Sequence, residues 1–229
     1  MCGFMALLTT RGERVSERHR EAVDRGLFRM RQRGPDGEST WTGEGVLLGH
    51  RRLSIIDLDA RAAQPMSSAD GRYVIAFNGE IYNHEALRAD LEAKGARFRT
   101  TSDTEVILRL FADEGAAMLP RLHGMFAFTI WDTLERRAFV ARDPYGIKPL
   151  FVADFPGGIA LASQVKALLE TGLVSREPDP RGQAGFWMLG SVPEPRTWFR
   201  AIRAFRAGHC AWIEGGRMVR ETCWHDIGD

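Results

Sequence analysis

The chain has 229 residues, 44% of them hydrophobic, which is enough to bury the core of one large domain. Its 31 basic and 30 acidic residues leave a formal net charge of +1, which excludes a global attraction to nucleic acid or to an anionic membrane. No apolar run reaches the roughly 20 residues of a membrane helix, and no basic segment precedes the apolar start, so we expect a cytoplasmic protein. The cysteines Cys2, Cys210 and Cys223 form no C-x-x-C pair, which favours a reducing compartment.

The first half of the chain predicts one helix and several strands. Val23, Leu27 and Met30 are spaced as on one helix face behind Ser16, which predicts a helix over 16–30. A loop should follow at 32–37. Strands are predicted at 46–49, 53–56 and 73–77. Asn78-Gly79 directly after the last of these is, as a dipeptide, typical of a hairpin turn.

The middle of the chain predicts two amphipathic helices and then a run of strands. Asn83 should cap a helix that ends at Gly95, and Ser102 with Glu105 should form a capping box for the next. The strands expected at 125–131, 138–142, 150–152 and 159–162 leave little room for helical crossovers. Antiparallel pairing is therefore predicted rather than a doubly wound parallel sheet. From Arg176 onwards repeated prolines indicate a connecting segment.

Cys2 is placed where its chemistry would be unusual. A small second residue normally permits removal of the initiator Met, which would give this thiol a free α-amine on the same residue. In unstructured peptides an α-amine has a pKa of about 7.7–8.0 and a cysteine thiol one of about 8.5, so near neutral pH the amine can act as the base. The position alone is weak support for catalysis.

Five motifs in order change that interpretation. They are Met1-Cys2-Gly3, His50-Arg51-Arg52-Leu53-Ser54-Ile55-Ile56-Asp57, Phe77-Asn78-Gly79-Glu80-Ile81-Tyr82-Asn83, Ser102-Asp103-Thr104-Glu105-Val106-Ile107-Leu108 and Arg142-Asp143-Pro144-Tyr145-Gly146-Ile147-Lys148-Pro149-Leu150. Together they resemble the class II glutamine amidotransferases, specifically the N-terminal glutaminase domain of glutamine-dependent asparagine synthetases. The resemblance runs from Met1 to nearly the end of the chain.

The resemblance implies an α+β fold, the four-layer αββα sandwich of two antiparallel sheets found in N-terminal-nucleophile hydrolases. It implies a glutaminase domain over residues 1–175. Residues 176–229 would be the last part of that domain and a connector towards a synthetase domain that this chain lacks. ATP and Mg²⁺ would belong to that missing domain or to a partner, and no cofactor or metal is expected in this chain.

The resemblance also implies the site residues. Cys2 would attack the carboxamide of L-glutamine, with the Asn78 side chain and the Gly79 N–H as the oxyanion hole. Arg52 would bind the substrate α-carboxylate, and Glu80 and Asp103 would lie near its α-ammonium. The backbone of the segment after Arg52 would line the remaining pocket, through Leu53, Ser54, Ile55 and Ile56.

Plainer interpretations exist for each of these residues. Without the resemblance, we would interpret Arg52 as a solvated side chain and Glu80 as a residue at the end of a strand. Asp103 would be a carboxylate favoured by the dipole at a helix N-terminus. His50 is assigned to packing. The spacing of His209-Cys210 and Cys223-Trp224-His225 matches no common zinc pattern, and no phosphate-binding glycine loop is present.

Several functional alternatives stay open from the sequence. The chain could be part of a longer protein or a free-standing glutaminase that works with a separate synthetase chain, with a preference for the second. The ammonia acceptor could instead be a sugar, a nucleotide precursor or a surface polymer, or the chain could be a silent glutamine-binding regulatory module. Departures from the family pattern at Gln164 and at Arg206-Ala207 bear on the partner or acceptor rather than on glutamine hydrolysis. A homo-oligomer is also left open.

Overall fold

The computed structural model describes residues 2–57 and 59–226. Within these ranges the helices are α1 (Glu17–Arg29), α2 (His84–Ala93), α3 (Asp103–Glu114), α4 (Val165–Glu170) and α5 (Pro180–Leu189), with 3₁₀ turns at Ala60–Ala62 and Gly115–Arg121. The strands are β1 (Gly3–Thr9), β2 (Gly37–Gly43), β3 (Val46–Arg52), β4 (Met66–Ser67), β5 (Tyr73–Ile81), β6 (Gly124–Asp132), β7 (Arg137–Arg142), β8 (Phe151–Phe155), β9 (Gly158–Ala162), β10 (Ile202–Ala204), β11 (His209–Glu214) and β12 (Arg217–Cys223).

The strands form two six-stranded sheets. The first has the order β10-β8-β9-β1-β3-β2, and the second has the order β12-β11-β7-β6-β5-β4. Every strand pair in both sheets is antiparallel. The prediction of antiparallel pairing is confirmed.

Alternate side chains of each central strand face different layers, because successive residues of a strand point to opposite faces. Phe4 of β1 and Val74 of β5 meet in the apolar layer between the two sheets. Met5 faces α1 and α4 on the outside of the first sheet, and Ile75 faces α2 and α3 on the outside of the second. The four-layer αββα sandwich implied by the resemblance is therefore confirmed.

Two local predictions along the chain are wrong. The segment 53–56 is not a strand, since β3 ends at Arg52. Its backbone is held by side chains instead, and the N–H of Ser54 donates to the carboxylate of Asp36 at 2.8 Å. Asn78 and Gly79 do not form a turn, because β5 continues through them and pairs them with Ala127 and Phe126 of β6.

The first two strands were missed for different reasons. β1 is buried on both faces, so it reads as a continuous apolar run without alternation. β2 lies at the edge of the first sheet, and its sequence, Gly-Glu-Ser-Thr-Trp-Thr-Gly, contains one large apolar residue and so lacks the alternation of apolar and polar residues that predicts a strand.

The helix starts are correct, although the capping differs. Ser102 Oγ accepts from the N–H of Thr104 at 3.2 Å, which caps α3. Glu105 does not complete the box, because its carboxylate accepts from the N–H of Thr100 at 2.7 Å and from the N–H of Arg99. Asn83 precedes α2, but its side chain donates to the carbonyl of Arg121 at 2.9 Å rather than capping.

The segment after Arg176 contributes regular structure to both sheets. β10 pairs with β8 in the first sheet, and β11 and β12 extend the second. Before them, Asp179 caps α5 by accepting from the N–H of Arg181 at 3.0 Å. Among the described residues, none of the helices is long and apolar enough to cross a membrane.

Candidate active site

A cavity of about 130 Å³ lies where the start of β1, the end of β3 and the edge of β5 meet. Nine of the ten predicted site residues line it: Cys2, Arg52, Leu53, Ile55, Ile56, Asn78, Gly79, Glu80 and Asp103. Ser54 does not line it and is tied to Asp36 instead. Four larger depressions, of about 690, 500, 400 and 330 Å³, are lined by described residues that include no cysteine. Nucleophilic chemistry is therefore centred on the smaller cavity.

Cys2 is fixed by backbone contacts just before β1 begins. Its Sγ accepts from the N–H of Leu53 at 3.4 Å and donates to the carbonyl of Leu53 at 3.5 Å. The carbonyl oxygen of Cys2 accepts from Nε of Arg33 at 2.7 Å. The irregular segment after β3 therefore positions the thiol.

Arg33 is a site residue that sequence reasoning missed. It was assigned only to a loop, although Arg33-Gly34-Pro35-Asp36 packs against the end of β3. A Cβ on Gly34 would lie 2.7 Å from the backbone nitrogen of Arg52, and a Cβ on Gly3 would lie 3.3 Å from Cδ of Arg33. Burial lowers the pKa of Arg33, while the charge of Cys2 acts in the opposite direction. The glycine at position 3 thus leaves room for the Arg33 side chain, and the glycine at 34 allows the loop to approach the end of β3.

The Gly79 N–H points into the cavity. Gly79 lies opposite Phe126, whose carbonyl accepts from the N–H of Asp143 at 2.8 Å and so faces β7. Because backbone direction alternates along an antiparallel ladder, the N–H of Gly79 faces away from β6. On that side the N–H of Phe77 donates to Gln64 Oε1 at 2.7 Å.

Ile81, two residues beyond Gly79 on β5, also directs its N–H away from β6, and a side chain accepts from it. It donates to Asp103 Oδ2 at 3.1 Å. The N–H of Gly79 lies between these two capped positions, facing the cavity. A Cβ at Gly79 would overlap the carbonyl oxygen of Met125 and lie 2.8 Å from Cα of Phe126, so the close approach of β6 requires glycine here.

The side-chain amide of Asn78 lies beside Cys2. The hydrogen-bond network assigns its orientation, with the nitrogen donating to the carbonyl of Cys2 at 2.9 Å and the oxygen accepting from Arg33 at 3.3 Å. Asn78 is almost fully buried. Asn78 and Gly79 therefore line the same cavity as the thiol, and their N–H groups are candidate donors for a developing negative charge.

Arg52 projects from the end of β3 and is oriented by the loop that follows. Its guanidinium donates to the carbonyl of Asp59 at 3.0 Å and to the carbonyl of Asp57. The carboxylate of Asp57 accepts from the N–H of Thr101 at 2.7 Å, and this bond holds the pKa of Asp57 below its usual range. The loop that carries the cation is thereby tied to the approach to α3.

Asp103 and Glu80 supply negative charge to the cavity. Asp103, the first residue of α3, is only 4% exposed, and burial raises the pKa of its carboxyl above the usual value. Glu80 lies on β5 and is half-buried. With Arg52, the cavity offers a guanidinium and two carboxylates around a thiol, which suits a ligand that carries both an ammonium and a carboxylate.

His50 does not belong to this constellation. Its Nε2 lies 3.0 Å from the carbonyl of Phe77, inside the sandwich. Burial lowers its pKa to about 4, so the ring is neutral. This agrees with the packing role predicted for it. Among residues 2–57 and 59–226, no cluster of three or more His, Cys, Asp or Glu side chains could hold a metal ion.

Comparison with known proteins agrees with this geometry. A family model described as a glutamine amidotransferase domain matches residues 1–224. The glutamine-hydrolysing asparagine synthetase B of Escherichia coli K12 is 39% identical over 229 residues, which covers 99% of this chain and 36% of that protein. Asparagine synthetase 1 of Bacillus subtilis 168 is 38% identical over 208 residues, covering 91% of this chain and 33% of that protein. The chain spans about a third of the length of these relatives.

Among solved structures, the glutamine phosphoribosylpyrophosphate amidotransferase of Bacillus subtilis, in complex with ADP and GMP, has the same fold. It superposes with a TM-score of 0.73 at 20% identity, over 97% of this chain and 49% of that one. The family model covers nearly the whole chain, and relatives above 30% identity extend along almost all of it. The chain therefore belongs to the family of glutamine amidotransferase domains.

Proposed function

We propose that the chain hydrolyses L-glutamine to L-glutamate and ammonia through a thioester on Cys2. One observation carries the proposal: the Cys2 thiol, two hydrogen-bond donors at Asn78 and Gly79, and the charges of Arg52 and Asp103 share one small cavity. This set matches what glutamine requires, namely a nucleophile and an oxyanion hole for the carboxamide and opposite charges for the α-carboxylate and α-ammonium.

The reaction needs a base and then an acid, and the α-amine of Cys2 serves as both. The α-amine of Cys2 takes the thiol proton, and Sγ bonds to the carboxamide carbon, whose oxygen becomes an oxyanion held by Asn78 and Gly79. Collapse expels the nitrogen, which takes the proton from the α-ammonium and leaves as ammonia. Water then adds to the γ-glutamyl thioester with the amine again as base, releasing glutamate and the thiol.

This mechanism requires removal of Met1, so that the α-amine of Cys2 is free. Met1 lies outside the described residues. Mass spectrometry of the purified chain therefore belongs in every kinetic experiment below, to establish that the active species begins at Cys2.

The ammonia would serve an ATP-dependent synthetase of the asparagine synthetase type. Support comes from the relatives, which are named glutamine-hydrolysing asparagine synthetases and are about three times as long as this chain. ATP and Mg²⁺ would bind to that synthetase domain or partner chain, outside the glutaminase cavity. In that arrangement residues 1–175 form most of the glutaminase domain, and residues 176–229 complete it through β10, β11 and β12 and lead towards the synthetase.

Turnover and labelling together test the proposed function. The chain with Met1 removed should release glutamate and ammonia in equal amounts from glutamine. A diazo-ketone analogue of glutamine should label Cys2 in a ratio of about one per chain, located by peptide mapping. Glutamine binding without glutamate release or labelling would instead identify a silent regulatory module.

Asp103 predicts a specific pH dependence of glutamine binding. Its carboxylate must be ionised to pair with the α-ammonium, and burial raises the pKa of the free carboxyl. Protonation as pH falls through that raised pKa removes the pairing, so affinity should fall at a higher pH than for an ordinary aspartate, whose pKa is about 3.9. Calorimetric titration of glutamine into the Cys2→Ala protein measures this without turnover.

Two variants on α3 distinguish the titration of Asp103 from general effects of pH on glutamine binding. Asp103→Asn should bind glutamine about 10- to 100-fold more weakly, since it loses a hydrogen-bonded charge pair, and should show no acid limb from this group. Asp113→Asn changes a carboxylate at the other end of the same helix, where Asp113 pairs with Arg109 at 3.3 Å, and should bind like the parent. An acid limb that persists in Asp103→Asn would contradict the assignment.

A further inference from the structure

Lys148 is a buried cation in the cavity that the proposed mechanism does not use. Its side chain lines the cavity together with Cys2, and the residue is only 4% exposed. Lysine is rarely buried to this degree, because its ammonium is strongly hydrated, unless nearby groups favour the charge. The position therefore calls for a functional account.

The backbone on both sides of Lys148 is fixed by the loop after β7. Its N–H donates to Asp143 Oδ2 at 2.9 Å, and its carbonyl accepts from Nε of Arg142 at 2.8 Å. Asp143 is fully buried, and the same carboxylate accepts from the N–H of Phe126 at 3.2 Å. The backbone of Lys148 is thus firmly held, and its side chain lines the cavity from that frame.

The charges around Lys148 come from four separate elements of the fold. Burial lowers the pKa of Lys148, and the positive charge of Arg33 acts in the same direction. Glu80 on β5, Asp143 in its own loop and Cys2 before β1 act in the opposite direction. Arg52 and Asp103 face the same cavity from its other walls. Glu80 and Asp143 thus favour, against the larger effect of burial, the charged form of an ammonium that shares its cavity with Cys2.

A fixed positive charge has a defined effect on an N-terminal cysteine. The inactive form carries one proton more than the active form, as an ammonium and a thiol on the same residue. A nearby cation opposes that extra proton, so the pair loses it at lower pH, whichever of the two groups releases it. Cysteine thiolates are favoured beside Lys or Arg for the same reason.

We propose that Lys148 is a positioning residue that, together with Arg33, keeps Cys2 and its α-amine in the reactive protonation state near neutral pH. The inference rests on the proposed function, since it assigns Lys148 a part in preparing the same nucleophile. Lys148 acts on Cys2 through its charge, without bonding to glutamine.

The pH profile of kcat/KM for glutamate release tests this assignment. In Lys148→Met, and in Lys148→Gln as a second neutral variant, the acid limb should move to higher pH by about one unit. The rate below that limb should fall about 10-fold, and it should approach that of the parent at high pH. Lys148→Arg keeps the charge and should keep the limb. Lys94→Met removes an exposed cation at the end of α2 and should leave the profile unchanged.

The rate at which iodoacetamide alkylates Cys2, measured over the same pH range, reports the reactivity of the thiol without turnover. Its acid limb should move with that of kcat/KM in the neutral variants. A uniform loss of rate at every pH, or a limb in Lys148→Arg displaced as in Lys148→Met, would overturn the proposal by showing a structural role. A parent protein that alkylates normally but releases no glutamate would contradict the proposed function instead.

Discussion

Cys2→Ala should abolish glutamate release, with kcat/KM lower by at least about 10⁴-fold. The substitution removes the atom that forms the thioester, and neither Cys210 nor Cys223 lines the cavity. The fold should persist, because Sγ makes only long contacts to the backbone of Leu53, at 3.4 and 3.5 Å. Glutamine should still bind, since Arg52 and Asp103 remain in place. A coupled assay for glutamate and a calorimetric titration measure the two quantities.

The matched control is Cys223→Ala, which removes an exposed thiol at the end of β12. It should retain full activity and full labelling by the diazo-ketone analogue. Residual release at the parental rate in Cys2→Ala would disprove the thioester mechanism. Labelling that moved to another cysteine would place the nucleophile elsewhere.

Local signals in the sequence predicted much of the fold. Apolar spacing behind Ser16 and Ser102 located α1 and α3, since a capping residue and a repeating apolar face are both local properties. The short spacing of the later strands predicted antiparallel sheets. β1 was not found because burial on both faces removes the alternation by which a strand is recognised.

The cavity depends on contacts that no local pattern contains. The pairing of β5 with β6 directs the Gly79 N–H into the site, while Gln64 and Asp103, both distant in sequence, accept from the N–H groups of Phe77 and Ile81 on either side. Arg33 is far from Asn78 in sequence, yet their side chains meet at the carbonyl of Cys2. The motifs therefore indicated which residues to consider, and tertiary packing determined how they face one another.

Asn78→Ala should lower kcat for glutamate release by about 10²–10³-fold while changing KM much less. An oxyanion donor acts on charge that develops only in the transition state, so its loss affects kcat more than ground-state binding. The Asn78 nitrogen lies 2.9 Å from the carbonyl of Cys2, and the two residues line the same cavity. Steady-state kinetics of glutamate release separate kcat from KM.

Asn78 also supports the position of Cys2 and Arg33, so a structural effect must be distinguished from loss of the oxyanion donor. Asn83→Ala is the matched control, because Asn83 precedes α2 and does not line the cavity. Its side-chain amide donates to the carbonyl of Arg121 and accepts from the N–H of His123. It should lower the thermal midpoint without lowering kcat. If Asn78→Ala raised KM as much as it lowered kcat, ground-state placement would explain Asn78, and the oxyanion hole would depend on the Gly79 N–H alone.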